Sequence, residues 1–427
     1  MATYLFITFA VTAILGFPIW AVLTTSCFVA LTMGSNTPLI VVVQRMFTAT
    51  DSFPSLAVPL FMVAGNLMET GGISRRLINF CNSILGWLPG GLGMAAILTC
   101  MFFAAISGSG PATVAAIGGI MIPEMEKAGY DKAFAAALMA VSGAIGVIIP
   151  PSIPMVNFGV VGSVSIATLF AAGFGPGILG GLALMIVTFI TAKKNGYGLA
   201  VKQKFSIVNV GKEFIKAFWA LLMPVIILGG IYGGIFTPTE AAIIATFYAI
   251  FLGFFYRTLT LKKLLAALKE ASETTCTVMM IVCGATIFCY ILSFERFPQM
   301  VANLFLTYVD NKYLALLVIN IFLVFVGMFM DSSPSIIILT PVFLPVVTAF
   351  GVDPVHFGII MILNLMIGLL TPPVGMVLYV LSKVSSVPFE RICKATVPFI
   401  IMFYIILQFI TYIPQITLAL PTWMYGA

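Results

Sequence analysis

The chain has 427 residues, of which 61% are hydrophobic and 8% are charged. A soluble domain carries about 25% charged residues, so this composition indicates an integral membrane protein. The apolar runs are long enough for helices and lack the alternation of a membrane β-barrel, which predicts an all-α polytopic fold. The net charge of +6 does not indicate a nucleic-acid partner, because the basic residues lie in loops between the apolar runs.

The sequence lacks the residue patterns of common catalytic and metal sites. The seven cysteines form no C-x-x-C pair, and His356 is the only histidine, which argues against a histidine metal site or a catalytic triad. Gly108-Ser109-Gly110 is not part of a full G-x-S-x-G motif, and the sequence has neither H-E-x-x-H nor a Walker lysine motif. We therefore expect no enzymatic activity.

The apolar runs predict the membrane spans in chain order. The first run, 4–33, lacks a basic start and is too long for a signal peptide, so we expect a span there and no cleavable signal. Further spans are predicted at 36–50, 53–70, 167–192, 215–236, 238–256, 276–294 and 395–415. Residues 193–213 form a polar loop, and 261–275 is a basic amphipathic segment typical of a membrane-surface helix. Glu240, after Thr237, is expected in the first turn of a helix.

Two further kinds of segment occur twice. Amphipathic stretches at 73–87 and 294–308 predict arm helices near opposite membrane faces. Each precedes an apolar run, 89–122 or 313–350, that is broken in its middle, the first by Ser107-Gly108-Ser109-Gly110-Pro111 and the second by Asp331-Ser332-Ser333-Pro334-Ser335. Each broken run is followed by a span, 132–166 or 354–387, that contains a proline pair, Pro150-Pro151 or Pro372-Pro373.

Sliding the sequence on itself by 222 residues shows an internal repeat. Residues 123–176 then match at ten positions without a gap, where roughly four matches are expected by chance. The matches include both hinge prolines and the pairs Gly146 with Gly368 and Pro123 with Pro345. Because proline and glycine fix backbone shape, paired breaks in two halves of a membrane chain point to a transporter binding site.

The distribution of charge predicts the orientation of the repeats. If the N-terminus lies outside and each broken run re-enters on its own side as a hairpin, 17 of the 20 Lys and Arg residues fall on the cytoplasmic side, all except Arg45, Arg296 and Lys312. Five crossings then separate the two hairpins, so they enter from opposite sides. We therefore predict inverted repeats in a plasma-membrane protein.

The breaks place polar groups at mid-membrane depth, where irregular backbone is tolerated only beside protein or water. The first hairpin tip offers the hydroxyls of Ser107, Ser109 and Thr113, and its hinge offers carbonyls near Gly146 and Ile149. The second tip offers Asp331, Ser332, Ser333 and Ser335, and its hinge offers Gly368 and Thr371. Symmetry proposes one cation site in each repeat. The alternative is that these small residues only allow close helix packing.

Three other positions have two interpretations each. Asp331 is the one acid placed deep in the membrane, and it either serves the transport pathway or caps the helix that begins there. Asn157 and Asn364 either bind substrate or form hydrogen bonds between helices. Ser142 aligns with Asn364 in the repeat, which makes a shared cavity-lining position an expectation.

The chain resembles the large membrane subunit of tripartite ATP-independent periplasmic (TRAP) transporters, the DctM type. The resemblance covers essentially the whole chain, and five stretches carry it: Val58–Gly65, Ile106–Gly110, Ile148–Met155, Gly234–Ala242 and Leu370–Gly375. The second and fifth of these include parts of the broken segments described above, and the third contains the first proline pair.

That resemblance implies a sodium-driven importer of small carboxylates with an elevator mechanism. It implies two protein partners, a small four-helix membrane subunit and a soluble periplasmic substrate-binding protein, besides membrane lipid. One sodium site would use Ser107, Ser109, Gly146, Ile149 and Pro151, and the other would use Gly327, Met330, Gly368, Thr371 and Met376. The substrate would contact Thr113, Ser142, Asn157, Asp331, Ser332, Ser333 and Asn364.

The predicted organisation places a moving transport domain between scaffold segments. It comprises scaffold helices in 1–72, an arm helix in 73–88, a first transport repeat in 89–192 (hairpin 89–130, broken helix 131–166, helix 167–192), scaffold helices and cytoplasmic loops in 193–275, a helix and second arm in 276–311, a second transport repeat in 312–415 (hairpin 312–352, broken helix 353–387, helix 392–415), and a C-terminal tail in 416–427.

The sequence does not determine whether the substrate is a sialic acid, a C4-dicarboxylate or a sugar acid. One alternative function is a stand-alone sodium-coupled anion symporter of the same architecture. Another is a channel-like or purely structural membrane subunit.

Overall fold

A computed structural model describes residues 1–35, 37–198, 204–309 and 311–426. Lys202 of the predicted polar loop lies outside the described residues, as do Asp310 and Ala427. Across the described ranges the regular secondary structure is entirely helical. Six of these helices are long and apolar enough to cross a membrane, or seven if one bent pair counts as a single span.

The N-terminal part contains the first scaffold helices and the first arm. Its elements are α1 (Ala2–Ile14), α2 (Ile19–Gly34), α3 (Ile40–Thr50), a short 3-10 segment (Phe53–Leu56), α4 (Ala57–Thr70) and α5 (Ile73–Leu85). The first repeat follows with α6 (Gly91–Ser107), α7 (Gly110–Lys127), α8 (Lys132–Gly146), α9 (Ile153–Gly162) and α10 (Ile166–Asn195).

The second part has the same order of elements. Its helices are α11 (Ile207–Tyr232), α12 (Pro238–Phe255), α13 (Leu261–Phe294), α14 (Phe297–Tyr308), α15 (Lys312–Gly327), α16 (Ser332–Ala349), α17 (Pro354–Leu369), α18 (Met376–Ser385), α19 (Phe389–Tyr412) and α20 (Gln415–Tyr425). The predicted C-terminal tail therefore forms a helix, α20, which packs against α10.

Three predicted spans differ from the structure. The run 4–33 is two helices that pack on each other, because Gly16 adopts a φ of 79° and Pro18 begins a new helix. The predicted spans 36–50 and 53–70 are α3 and α4, which are bent by 63° around the 3-10 segment and reach spanning length only as a pair.

The predicted surface helix 261–275 and span 276–294 are one continuous helix, α13, of 34 residues. No proline or glycine interrupts the sequence between Leu261 and Cys283, so nothing ends the helix at the predicted boundary. Its length of about 51 Å, at 1.5 Å per residue, exceeds the thickness of the hydrocarbon core, and its basic first turns extend beyond that core.

The internal repeat extends well beyond the residues that match in sequence. Helix α7 runs from 110 to 127 and α16 from 332 to 349, an offset of 222 at both ends. The pairs α5/α14, α6/α15, α8/α17, α9/α18 and α10/α19 begin within two residues of that offset. The Pro150-Pro151 and Pro372-Pro373 bonds are both cis. The bent pair α3–α4 corresponds to the straight helix α13.

The two repeats interlock. Helix α9 of the first repeat packs against α16 and α17 of the second, and α18 of the second packs against α7 and α8 of the first. Helices α2, α3, α4, α12 and α13 form a separate packed group, which meets the repeats where α4 contacts α6 and α9 and where α13 contacts α16. The arm helices α5 and α14 lie against α6 and α16 respectively.

Candidate ion and substrate site at the hairpin tips

The first tip is a tight turn between α6 and α7 that gathers three hydroxyl groups. Ser107 Oγ lies 3.0 Å from Thr113 Oγ1, and Thr113 Oγ1 donates to the Ser109 carbonyl oxygen at 2.8 Å. Gly108 takes a φ of 64° and ends α6, while Ser109 is extended and begins α7 without a side-chain cap. The first-turn N–H groups of α7 therefore have no capping side chain.

The first hinge closes directly onto this tip. The Ile153 N–H, just after the proline pair, donates to the Gly108 carbonyl oxygen at 3.3 Å. A Cβ atom at Gly108 would lie 3.2 Å from the Ile153 nitrogen and 3.5 Å from the Pro151 oxygen, and one at Gly146 would lie 2.9 Å from the Cys100 oxygen. Glycine is required here because backbone meets backbone. Ser107, Ser109, Gly146, Ile149 and Pro151 thus lie on two segments in direct contact.

The second tip is built around Asp331. Its carboxylate accepts hydrogen bonds from the Ser332 N–H at 2.7 Å and the Ser332 hydroxyl at 3.3 Å. Its carbonyl oxygen accepts from the Ser335 hydroxyl at 2.8 Å, as the Ser109 carbonyl accepts from Thr113 in the first repeat. Asp331 therefore caps α16 in this structure, whereas a role in the transport pathway stays a prediction. Ser333 lies beside it, half-buried.

The second hinge also meets its tip through glycine. A Cβ atom at Gly368 would lie 2.5 Å from the Gly327 Cα atom, and one at Gly327 would lie 2.9 Å from the Leu365 oxygen. The Thr371 hydroxyl donates to the Ile367 oxygen at 2.7 Å. Gly327, Gly368 and Thr371 thus lie together, as the predicted second sodium site requires. Met330 is half-buried on the tip.

The two hinges differ in their exposure. The whole segment 141–159 is buried, including the first proline pair, whereas Pro372 and Pro373 are exposed and Met376 is 39% exposed. The described backbone contacts include no counterpart, in the second repeat, of the bond between Ile153 and Gly108. The structure therefore shows the first repeat closed over its tip and the second repeat more open.

The predicted substrate contacts on α8 and α17 have local partners. The Ser142 hydroxyl donates to the Leu138 oxygen at 2.6 Å in its own helix. The Asn364 amide donates to Asn320 Oδ1 at 2.9 Å, and Asn320 donates to Thr411 Oγ1 at 3.0 Å. Both Ser142 and Asn364 are fully buried. Asn364 thus takes part in interhelical hydrogen bonding through its amide nitrogen, while its Oδ1 atom is buried without a hydrogen-bond partner among the described residues. A direct substrate contact stays a prediction.

Two polar residues near the first hinge, Ser152 and Ser55, were not predicted from the sequence as site residues. The Asn157 amide nitrogen, a predicted substrate contact, is buried without a hydrogen-bond partner among the described residues, and so are the hydroxyls of Ser152 and Ser55. Ser55 lies on the 3-10 segment, which packs against the helix α9 that carries Asn157. Buried polar groups normally have a partner, so such a group is a candidate ligand contact. Ser152 adjoins the proline pair, which was the available signal.

The group formed by α4 also reaches the first tip. A Cβ atom at Gly65 would lie 3.0 Å from the Ser107 Cα atom. Helix α4 is held in turn by α12, where Thr239 donates to the Phe53 oxygen at 2.9 Å and Thr237 and Glu240 form the predicted capping box. The Val58–Gly65 and Gly234–Ala242 stretches therefore have a shared structural role in positioning α4 beside the tip.

Apart from the Asp331 carboxylate at the second tip, the site is built from neutral groups. In the described ranges no Lys, Arg, Asp or Glu side chain is fully buried, and no group of three or more His, Cys, Asp and Glu residues could hold a metal ion. A cation at either tip would therefore be bound by carbonyl and hydroxyl oxygens, the ligands that hard cations prefer. An anion would be bound by helix N-termini and hydroxyls.

The fold is that of a polytopic, all-helical membrane protein with paired helix breaks. A family model described as the tripartite ATP-independent periplasmic transporter DctM component matches residues 6–416. The chain belongs to this family, whose members are transporter permease subunits and not enzymes. Members of the family work with a small membrane subunit and a periplasmic binding protein.

Curated relatives with different substrates in their names are similar over most of this chain. It is 46% identical to the isethionate TRAP transporter permease protein DctMQ of Oleidesulfovibrio alaskensis, covering 96% of this chain and 64% of that protein. It is 43% identical to the sialic acid TRAP transporter large permease protein SiaM of Vibrio cholerae, covering 93% and 94%. It is 42% identical to the C4-dicarboxylate TRAP transporter large permease protein DctM of Pseudomonas aeruginosa, covering 89% of each.

A solved structure with a similar fold is the YdaH transporter of Alcanivorax borkumensis. The TM-score is 0.64 at 12% identity, with 90% of this chain and 88% of that one covered. The likeness therefore concerns the fold alone.

Proposed function

We propose that this chain is the large permease subunit of a sodium-coupled importer of a small carboxylate. The observation that supports this most is the recurrence, at matching places in two repeats, of a hairpin tip packed through glycine on a broken helix. Membership of the DctM family agrees with it. Such paired breaks present unpaired carbonyls and N–H groups where ions and substrates bind in transporters.

Each repeat would hold one sodium ion between its tip and its hinge. In the first repeat the ligands would be oxygens of Ser107, Ser109, Gly146, Ile149 and Pro151. In the second they would be main-chain or side-chain oxygens of Gly327, Met330, Gly368 and Thr371, with Met376 nearby. These groups are neutral oxygen donors, which suits a monovalent cation that must also be released.

The substrate carboxylate would lie nearer to the start of α7 than to the start of α16. The first turn of α7 has no side-chain cap, so its N–H groups and the positive end of the helix dipole remain available to an anion. The start of α16 is already occupied by the Asp331 carboxylate, which would repel a second negative charge. Thr113 and the unpartnered Asn157 would bind the polar groups of the substrate.

The transport step would be an elevator movement in a bacterial inner membrane, with the N-terminus on the periplasmic side. The interlocked repeats would move as one body past the scaffold group that contains α4 and α13. The substrate would be delivered by a periplasmic binding protein, and a separate small membrane subunit would complete the permease. The names of the relatives place isethionate, sialic acid and C4-dicarboxylates among the first substrates to test.

Uptake into proteoliposomes tests this proposal. The purified permease complex would be assayed with labelled sialic acid, succinate and isethionate, each with and without a candidate binding protein, under an imposed inward sodium gradient. We expect uptake of one of the two carboxylates, sialic acid or succinate, that requires both the sodium gradient and the binding protein. Uptake of isethionate alone, which is a sulfonate, would contradict the carboxylate class. Uptake that needs sodium but no binding protein would support the stand-alone symporter instead. Flux that does not depend on the sodium gradient would contradict sodium coupling and support a channel.

A further inference from the structure

A cavity of about 430 Å³ lies between the second hairpin and its neighbours. Its walls are formed by α1, α13, the arm helix α14 and the hairpin helices α15 and α16. Sixteen of its seventeen lining residues are hydrophobic and seven of them are phenylalanines. The exception is Ser335, whose hydroxyl already donates to the Asp331 oxygen at 2.8 Å. The cavity therefore offers apolar contact and little hydrogen bonding.

The cavity is elongated along the hairpin. Its lining positions on α15 run from Val318 to Val326, and those on α16 run from Ser335 to Phe343. At 1.5 Å per residue, each wall is about 12 Å long. Aromatic pairs border the space: Phe6 and Phe297 have ring centroids 5.1 Å apart, and those of Phe322 and Phe343 are 5.4 Å apart. A long, narrow, apolar space between membrane helices suits an acyl chain.

One end of the cavity carries a site for a negative charge. Phe297 lines the cavity and is the first residue of α14, and the preceding residue, Arg296, is exposed. The first turn of α14 has no side-chain cap, so its N–H groups and the helix dipole favour an anion there. The guanidinium group of Arg296, the exposed residue that precedes α14, would supply a partner that matches phosphate geometry. The adjacent Glu295 carboxylate lies 3.3 Å from the Met1 amine, which offsets its charge.

We propose that this cavity is a phospholipid site, with one acyl chain in the apolar space and the phosphate at Arg296 and the start of α14. The two parts of the ligand match two neighbouring features, hydrocarbon with the phenylalanine-rich walls and phosphate with the guanidinium. The site joins the scaffold helices α1 and α13 to the second hairpin. It is independent of which ion or substrate the protein transports.

Two variants and two matched controls test the site. V301W places a large ring in the cavity from the half-buried face of α14, whereas M300W places the same ring on a position that is 63% exposed. R296Q removes the guanidinium group, and R257Q removes another exposed arginine that also has a positive φ. Each purified protein is stripped of lipid in detergent, titrated with dioleoylphosphatidylglycerol and measured by native mass spectrometry.

We expect the wild type, M300W and R257Q to retain one phospholipid with the same affinity. V301W should retain none, and R296Q should bind about tenfold more weakly, as expected for the loss of a charge-assisted hydrogen bond. Dioleoylglycerol should bind weakly and inorganic phosphate should not compete, which separates the lipid from a free anion. Failure of the stripped wild type to bind the titrated lipid, equal binding by V301W, or equal affinity in R296Q and R257Q would overturn the site. R296Q lies at the surface, so it tests the phosphate contact even if V301W does not fold.

Discussion

At the scale of single residues, the first hairpin tip has the most complete set of oxygen donors. Ser107, Thr113 and the Ser109 carbonyl lie within hydrogen-bond distance of one another, and the Gly108 carbonyl is in contact with the hinge. The hydroxyls bond mainly to each other and to the turn, so they could rotate toward an ion without breaking contacts with the rest of the protein. This makes them suitable residues for testing the sodium proposal.

We expect the double variant S107A/S109A to need about tenfold more sodium for half-maximal uptake, since two hydroxyl ligands worth about 1.4 kcal/mol together would be lost. The folding of the variant should be nearly unchanged. S26A is the control for removal of a buried hydroxyl, because Ser26 is buried like Ser107 and bonds to the Val22 oxygen in its own helix. An unchanged sodium dependence in the double variant would remove the tip from the ion site.

Gly65 allows the scaffold helix α4 to approach the tip, so its replacement should impair transport. G65A would place a methyl group 3.0 Å from the Ser107 Cα atom, and such overpacking costs about 1–3 kcal/mol. We expect uptake to fall at least about fivefold. G229A is the control, because a Cβ atom there has no atom within 4 Å and the position is exposed on α11. Wild-type uptake by G65A would show that α4 does not control the position of the tip.

The sequence predicted the two tips and hinges because each depends on local backbone chemistry. The Gly108-Ser109-Gly110-Pro111 turn and the two proline pairs each concentrate helix-disfavouring residues at one place, so these breaks could be read without knowledge of packing, whereas single prolines such as Pro123 and Pro176 lie inside helices. The partners of Asn364 and the close approach of Gly65 could not be predicted, since they depend on which helices become neighbours. Asp331 shows what the sequence cannot decide. The residues around it are equally consistent with a helix cap and with a functional role, and the structure shows the cap.

At the scale of elements, the errors came from where helices stop. Gly16 and Pro18 divide the first apolar run into α1 and α2. These two helix-breaking residues are visible in the sequence, but the continuous hydrophobicity of the run predicted a single span. For α13 the opposite error occurred: a surface helix and a separate span were predicted where the structure has one helix. A change from polar to apolar composition does not end a helix unless a helix-breaking residue is present. The 63° bend between α3 and α4 likewise follows from a proline-containing turn in the sequence.

The arm helices α5 and α14 provide a test of the inverted topology. Asn79 and Gln299 are exposed on the two arms, and N79C and Q299C should react with a membrane-impermeant thiol reagent from opposite sides of the membrane. The background should contain C276S, because Cys276 is the one exposed cysteine among the seven free cysteines described. Each variant would be labelled in intact cells and in inverted vesicles. Labelling of both arms from the same side would contradict the inversion.

At the scale of the whole molecule, no Lys or Arg side chain is buried in the described ranges, which would couple the two proposed ligands. A carboxylate between the tips would be balanced by helix dipoles, hydroxyls and the bound sodium ions. Each ligand would then raise the affinity of the site for the other by the same factor.

We therefore expect substrate affinity to fall by about ten- to 100-fold when sodium is replaced by potassium or choline, within the usual range of coupling energies. Calorimetry on the purified membrane complex would measure it, with the compound that is active in uptake as ligand. The reciprocal experiment, sodium binding with and without substrate, should give the same factor. Equal substrate affinity in the three salts would show that another group neutralises the anion.

The interlocking of the repeats has a consequence for biosynthesis. Helix α9 ends at Gly162, but its partner α16 begins at Ser332, so the ribosome must add 170 residues before the face of α9 that packs against α16 can be covered. At typical rates of synthesis this takes on the order of ten to thirty seconds. During that interval the newly made first half presents an unpaired apolar surface in the bilayer, and it depends on lipid, the insertion machinery or a chaperone for protection. The native pairing of the two halves can therefore form only after α16 and α17 have emerged, late in translation.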